Sequence, residues 1–352
     1  MQTMPGLGRP LLTEYVNFPV TLAPMVGLSH VGLRSVVRRY LPKGANTFWP
    51  TEMLNSRRIP HENLGGTPET YRLDEEMDLV PQILGNEHRP IKETLQKMHE
   101  WGVLGVDINM GCPVKKALKH NYGVALMGDK QYAADVVGMA REATHLPLSV
   151  KLRAVDPIEI EPLVEFVKPL VDAGADWICL HPRTAAQKRR GKANWSQIRQ
   201  LRESISVPII GNGDVQCLED LNEIFKSTHC DMVMVGRGLA ARPWLLWQWA
   251  EQFGWEPPPE RSGKAPSTPL EEGAEYGKCA KALVSVLEAR FKESLGVRRF
   301  KFHVRMTHMW LTYGHAFHAK VLSANSYQEL HAVIDDFFSR PQTMVQRTQL
   351  RI

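Results

Sequence analysis

Residues 105–116 read Gly-Val-Asp-Ile-Asn-Met-Gly-Cys-Pro-Val-Lys-Lys, and Cys112 in their midst is the side chain best placed for chemistry. The run 105–109 has the length of a short buried strand. Gly111 and Pro113 then break regular structure, which predicts a thiol on a tight loop just past a strand's C-terminal end. A free cysteine is more often an inert, buried hydrophobe. Its neighbours argue otherwise here. Asn109 offers an amide that can read a planar polar ring, and Lys115 and Lys116 put positive charge where it would favour a thiolate or meet a phosphate.

Other chemically loaded residues fall at matching places. Short apolar runs at 20–25, 47–52, 79–84, 105–109, 148–153, 177–181, 208–212 and 231–235 read as strands. They end at Met25, Glu52, Gln82, Asn109, Lys151 with Arg153, His181 with Arg183, Asn212 with Asp214, and Arg237. Amphipathic segments such as 91–101, 132–143, 159–173 and 195–205 lie between them, so the pattern predicts an α/β fold, a (β/α)8 TIM barrel, with a doubly wound open sheet as the alternative. The barrel is preferred because it brings all the loaded ends to one mouth, whereas an open sheet spreads them along an edge. The last two strands run into glycine loops, Gly211-Asn212-Gly213-Asp214 and Gly236-Arg237-Gly238. Backbone N–H groups there can approach a phosphate, and Arg237 adds a forked donor.

The chain has 352 residues, of which 43% are hydrophobic, enough for a barrel and a smaller unit. Nothing approaches the roughly 18 apolar residues of a membrane span, and the first 16 residues hold no continuous apolar run, so a soluble, cytoplasmic protein is expected. Five scattered cysteines suggest neither a disulfide framework nor a zinc site, and no metal is expected. A net charge of +5 is too small to demand a nucleic-acid partner. Its distribution is more informative, because Arg183, Lys188, Arg189, Arg190, Lys192, Arg199 and Arg202 follow one another without an acidic residue. The expected division is a barrel over 1–253, a Pro-rich linker over 254–269 and a helical bundle over 270–352, with helices at 270–292, 297–313 and 327–338. The tryptophans of 243–252 should pack against the barrel. On 297–313, Arg298, Lys301, Arg305 and His308 form a basic stripe beside an apolar one of Val297, Phe300, Val304 and Leu311.

Taken together these motifs resemble the tRNA dihydrouridine synthases, from about Thr21 to about Ser339. The resemblance rests on Ala23-Pro24-Met25, the Asp107 to Pro113 run, Val150-Lys151-Leu152-Arg153, His181-Pro182-Arg183-Thr184 and the two glycine loops. It implies an FMN-binding barrel with a helical tRNA-binding domain, in which NADPH is the reductant for the 5,6 double bond of selected uridines in tRNA. By the same resemblance Pro24, Met25, Val26, Gln82, Lys151, His181, Asn212, Gly213, Asp214, Gly236 and Arg237 contact FMN. Lys151 steadies negative charge on the reduced flavin, Asn109 and Arg153 lie near the uracil, and Cys112 is the proton donor. A proton donor must be a thiol rather than a thiolate, so Lys115 and Lys116 are better read as phosphate or substrate contacts. Arg183, Arg298, Lys301 and Arg305 are then expected on the tRNA; no membrane and no obligate protein partner is implied. The chain departs from the family pattern at His30, Pro182 and Val124, with effects expected on loop packing and on the lid 121–125 over Cys112. Two other classes remain: an FMN barrel acting on a free small molecule, and a non-catalytic RNA-binding protein.

Overall fold

A computed structural model describes residues 4–9, 16–114 and 118–349. Lys115 and Lys116, expected beside the thiol, lie outside these residues, as does most of the N-terminal segment 1–16.

Eight strands form one parallel sheet: β1 (Val20–Leu22), β2 (Trp49–Asn55), β3 (Leu79–Leu84), β4 (Val106–Met110), β5 (Leu148–Arg153), β6 (Trp177–His181), β7 (Ile209–Asn212) and β8 (Met232–Val235). β1 pairs with β8, and the Thr21 hydroxyl donates to the Phe48 carbonyl just before β2, so the sheet curls into a (β/α)8 barrel. Helices α1 (Val31–Arg38), α2 (His88–Trp101), α3 (Lys130–Ala143), α4 (Glu161–Asp172), α5 (Ser196–Ser204), α6 (Leu218–Thr228), α7 (Arg237–Ala241) and α8 (Leu245–Glu251) cover its outside. Strand alternation explains what faces where. Along β5, Leu148, Val150 and Leu152 join the apolar layer under the helices, which leaves Ser149, Lys151 and Arg153 for the barrel interior and its mouth. Phe48, Val80, Trp177, Cys179, Ile210, Met232 and Met234 fill the interior below them.

Two strands end more than one residue from where they are expected to. β1 stops at Leu22; Ala23 N still donates to Val235 O, but Pro24 has no N–H to continue the ladder, so Met25 sits on a loop. β2 runs on to Asn55 through a register shift between Pro50 and Met53 that lets it follow β3, and Glu52 therefore lies within the strand rather than at its end.

The chain between 252 and 268 forms no helix or strand, and it is pinned where Gln248 donates to the Pro266 carbonyl. Thr268 and Glu271 make a capping box that starts α9 (Pro269–Arg290), followed by α10 (Glu293–Thr307), α11 (Gly314–Ser323) and α12 (Tyr327–Phe338). Helix α11 is absent from the expected set, and α10 ends earlier than expected: it stops at Thr307 and a 3₁₀ turn, His308–Trp310, follows. Leu283, Phe300, Val304, Phe317, Leu330 and Ile334 form the bundle core together with Val31 and Val36 of α1. Of the three tryptophans, Trp249 stacks on Phe225 under the barrel, while Trp244 and Trp247 belong to the bundle core. The joint is also polar. Arg242 makes a bidentate pair with Glu272 at 2.9 and 2.8 Å, and Trp244 Nε1 donates to the same carboxylate at 3.1 Å.

All five cysteines are free and buried. Among the described residues no helix is long and apolar enough to cross a membrane, and no group of His, Cys, Asp and Glu could hold a metal ion.

Candidate active site

The chain leaves β4 at Met110 and turns so that Cys112 sits at the barrel mouth. Four hydrogen bonds hold the turn. Gly111 N and Cys112 N donate to Asn109 Oδ1 at 3.1 and 2.9 Å, Arg153 Nε donates to Gly111 O at 2.7 Å, and Val124 N donates to Cys112 O at 3.1 Å. The last bond belongs to the lid. Gly123 has φ +61°, and a Cβ there would stand 2.6 Å from the Cys112 carbonyl oxygen, so a glycine is needed for this close approach. Tyr122, Met53 and Leu84 pack around the thiol, which leaves Cys112 only 8% exposed. Burial pushes the thiol pKa up, against a hydrogen bond from the Val114 backbone and the Arg153 charge, both of which lower it. Cys112 is therefore a protonated thiol at neutral pH.

Above Cys112 opens a cavity of about 330 Å³, a size that suits a small-molecule ligand. The β1–α1 loop contributes Pro24, Met25 and Val26; β3, β5 and β6 contribute Gln82, Lys151, Arg153, His181 and, just beyond, Arg183; the glycine loops contribute Asn212, Gly213, Asp214, Gly236 and Arg237. Every residue expected at the cofactor lines this one space, together with Asn109 and Cys112. Arg298, Lys301 and Arg305 do not. Arg298 and Arg305 are exposed and Lys301 is half-buried on α10, whose Phe302 and Met306 complete the cavity wall instead. The apolar stripe Val297, Phe300 and Val304 is buried as expected. His308 is not outward as expected: it is 7% exposed, its Nδ1 lies 3.0 Å from Val304 O, and its ring stacks on His318.

The cavity is strongly electropositive. Lys151, Arg153, Arg183, Arg189 and Arg237 line it against a single carboxylate, Asp214, which Arg183 already holds through two bonds of 2.6 and 2.7 Å. Burial, followed by the charge of Arg189, brings Arg237 down to about 10. Burial and then Lys151, Arg153, Arg183 and Arg237 hold His181 far below its ordinary value, so it is neutral, and its Nε2 accepts from Arg183 Nη1 at 3.1 Å. Like charges crowd this way when an anion is meant to sit among them. The glycine loops supply the remaining cradle: Gly213 has φ +120°, Asp214 has φ +60°, and a Cβ at Gly236 would project toward Met25 Sδ at 3.3 Å. Lys151 Nζ donates to Asn212 Oδ1 at 3.1 Å, which aims its charge over the cavity floor. A planar ligand with one phosphate, such as FMN, fits this donor set.

Three groups escape sequence reasoning. Arg189 reaches the cavity from the basic segment, whose charge run was visible but whose direction was not. Arg299 is buried on α10 and pairs with Glu52, whose other oxygen accepts from Gly27 N at 2.7 Å; no local pattern links residues so far apart. Asp107, buried within β4, bonds Gln82 Nε2 and Ser149 Oγ, both at 2.6 Å.

Fold and site together define a barrel whose mouth is a basic cavity beside a buried thiol of raised pKa. The sequence profile described as dihydrouridine synthase (Dus) matches residues 21–338. Proteins named "Probable tRNA-dihydrouridine synthase" are similar: that of Rickettsia conorii is 32% identical, over 65% of this chain and 68% of its own length. That of Rhizobium leguminosarum bv. phaseoli is 33% identical over 64% and 69%, and that of Mycobacterium tuberculosis 27% identical over 90% and 81%. The chain belongs to the dihydrouridine synthase family, and it is an oxidoreductase of that family.

Proposed function

We propose that the protein reduces the 5,6 double bond of particular uridines in tRNA, with Cys112 as the proton donor and FMN in the basic cavity. The observation that carries the reading is a buried, protonated thiol opening onto a cavity with five cations and one carboxylate. FMN, when bound and reduced by NADPH, supplies the hydride that adds to C6 of the uracil ring. Cys112 then gives its proton to C5 from the opposite face and is reprotonated from solvent. Its raised pKa keeps the proton in place until it is needed, while the packing of Tyr122 and the lid glycine limits water around it. Lys151 and Arg237 hold negative charge within the cavity, and neutral His181 offers a hydrogen bond without adding to the crowded positive charge.

Asn109, expected to read the uracil, already uses its amide inside the protein: Oδ1 holds the Cys112 turn and Nδ2 donates to Gln82 Oε1 at 2.7 Å. Arg153 and Arg183 likewise brace loops around the cavity. The exposed cations Arg298 and Arg305 and the half-buried Lys301, with Lys188, Arg190 and Lys192, form the track for the tRNA backbone, and a tRNA substrate places the enzyme in the cytoplasm. The bundle that follows the Pro-rich 254–269 is then more than a clamp, because Phe302 and Met306 help to enclose the reacting base.

The test is reconstitution with FMN and NADPH, followed by nucleoside mass spectrometry of tRNA made without modifications. Dihydrouridine at discrete positions is expected. Turnover of free uracil or uridine with none in tRNA would overturn the proposal in favour of a small-molecule enzyme. Cofactor released by heat should co-chromatograph with FMN, and FAD would contradict the single-phosphate cavity.

A further inference from the structure

Asp107 is not among the residues that line the cavity, yet both of its carboxylate oxygens are held. It lies on β4 between its register partners Gln82 of β3 and Ser149 of β5 and is 6% exposed. Its Oδ2 accepts from Gln82 Nε2 at 2.6 Å and its Oδ1 from Ser149 Oγ at 2.6 Å. Gln82 thereby turns Oε1 toward Asn109, whose Nδ2 donates to it at 2.7 Å; Asn109 Oδ1 then accepts from the backbone N–H groups of Gly111 and Cys112. The ends of this chain have a fixed sense, because a carboxylate only accepts and a backbone N–H only donates. Each of the two amides between them has one orientation that satisfies both neighbours. Turning either over would set donor against donor and acceptor against acceptor.

We propose that Asp107 is a positioning residue for Cys112, acting through Gln82 and Asn109 as a one-way hydrogen-bond relay that fixes the turn from which the thiol delivers its proton. The inference rests on Cys112 being the proton donor. Burial raises the Asp107 carboxyl to about 6, so at pH 7 it is an acceptor as the relay requires; the charge of Lys151 on β5 opposes the rise, and the carboxylate in turn acts on the buried Cys179 of β6. The relay also explains why the amide of Asn109 faces inward to its own loop.

Two measurements on three variants test this. Asp107→Leu removes the acceptor while keeping the branched outline of the side chain, and leaves Gln82 Nε2 unpaired, which should raise the population of displaced Cys112 turns about 10- to 100-fold. Iodoacetamide labelling of Cys112 in flavin-free protein, read by peptide mass spectrometry, should quicken by that factor, with the four other buried cysteines unlabelled as internal controls. In single turnovers of the FMN-loaded enzyme, uridine reduction should slow while flavin reduction by NADPH keeps its rate. Asp107→Asn should behave as wild type, since its Oδ1 still accepts from Gln82 and its Nδ2 can donate to Ser149 Oγ. If Asp107→Leu does not fold, Asp107→Ala removes the same acceptor without added bulk. Wild-type labelling in the folded leucine or alanine variant overturns the relay, and so does an asparagine variant as impaired as the leucine one. If Cys112 proves dispensable for uridine reduction, the labelling still reports on the relay, so the two failures can be told apart.

Discussion

Arg299 binds the bundle to the barrel, and its removal should be costly in a calculable way. Its guanidinium pairs with Glu52 Oε1, the side chains of the pair are 7% and 5% exposed, and the remaining Glu52 oxygen holds Gly27 N at 2.7 Å. Arg299→Met leaves a buried carboxylate with one hydrogen bond and no counter-charge, a loss of about 3–5 kcal/mol. At about 2.1 cal/mol/K per residue, 352 residues give an unfolding entropy near 0.7 kcal/mol/K, so the melting temperature should fall by about 4–7 °C. Adding Glu52→Gln removes the orphaned charge and should recover at least half of the loss. Phe302 packs against Gly27, where a Cβ would meet its ring at 2.9 Å, so loosening this joint should also weaken FMN binding by the adjoining Pro24–Met25–Val26 loop. Thermal melts of flavin-free protein followed by circular dichroism, with FMN titrations on the same samples, supply the data. An Arg299→Met variant that melts with the wild type, or a double variant less stable than the single one, would refute the reasoning.

Burial lifts the Asp107 carboxyl from 3.8 to about 6 in the folded protein, so the folded state binds this proton more tightly than the unfolded chain. Stability from this group therefore falls as pH rises from about 4 to 6, by about 3 kcal/mol in all. The stability advantage of Asp107→Asn over wild type, read from urea melts, should grow across that window and stay level above it. The raised thiol of Cys112 predicts that uridine reduction holds steady past the ordinary thiol pKa and declines only above it; a decline centred below neutrality would contradict a protonated donor. Arg298→Glu with Arg305→Glu should weaken tRNA binding and flatten its dependence on salt while NADPH oxidation by the flavoprotein is unchanged; a salt series with the wild-type slope would exclude α10 from the RNA track.

The barrel was legible because its strands are short apolar runs separated by amphipathic helices, and the lining of its mouth was legible because polar side chains recur where those runs end. What escaped depends on pairings between distant segments. The shift in β2 that places Glu52 within the strand arises from its register against β3, which no local pattern encodes. Arg299 sits among exposed cations of the same helix, and only its partner 247 positions away marks it as buried. His308 continued a basic stripe on paper, but the helix ends one residue before it and the turn directs the ring inward. Helix α11 carries charged, aromatic and small residues with little periodicity, and it is held mainly by Phe317 and Val321 in the bundle core. Asp107 was part of a recognised motif, yet its role depends on two neighbouring strands.

The most direct test of the account is a pair of rapid-mixing experiments on FMN-loaded Cys112→Ala with tRNA that lacks dihydrouridine. Flavin reduction by NADPH should proceed at the wild-type rate, because Cys112 acts only after it, while uridine reduction should slow by about 10²- to 10⁴-fold, the usual loss when a general acid is removed. Uridine reduction at the wild-type rate in this variant would show that the buried thiol is structural and that the proton comes from elsewhere.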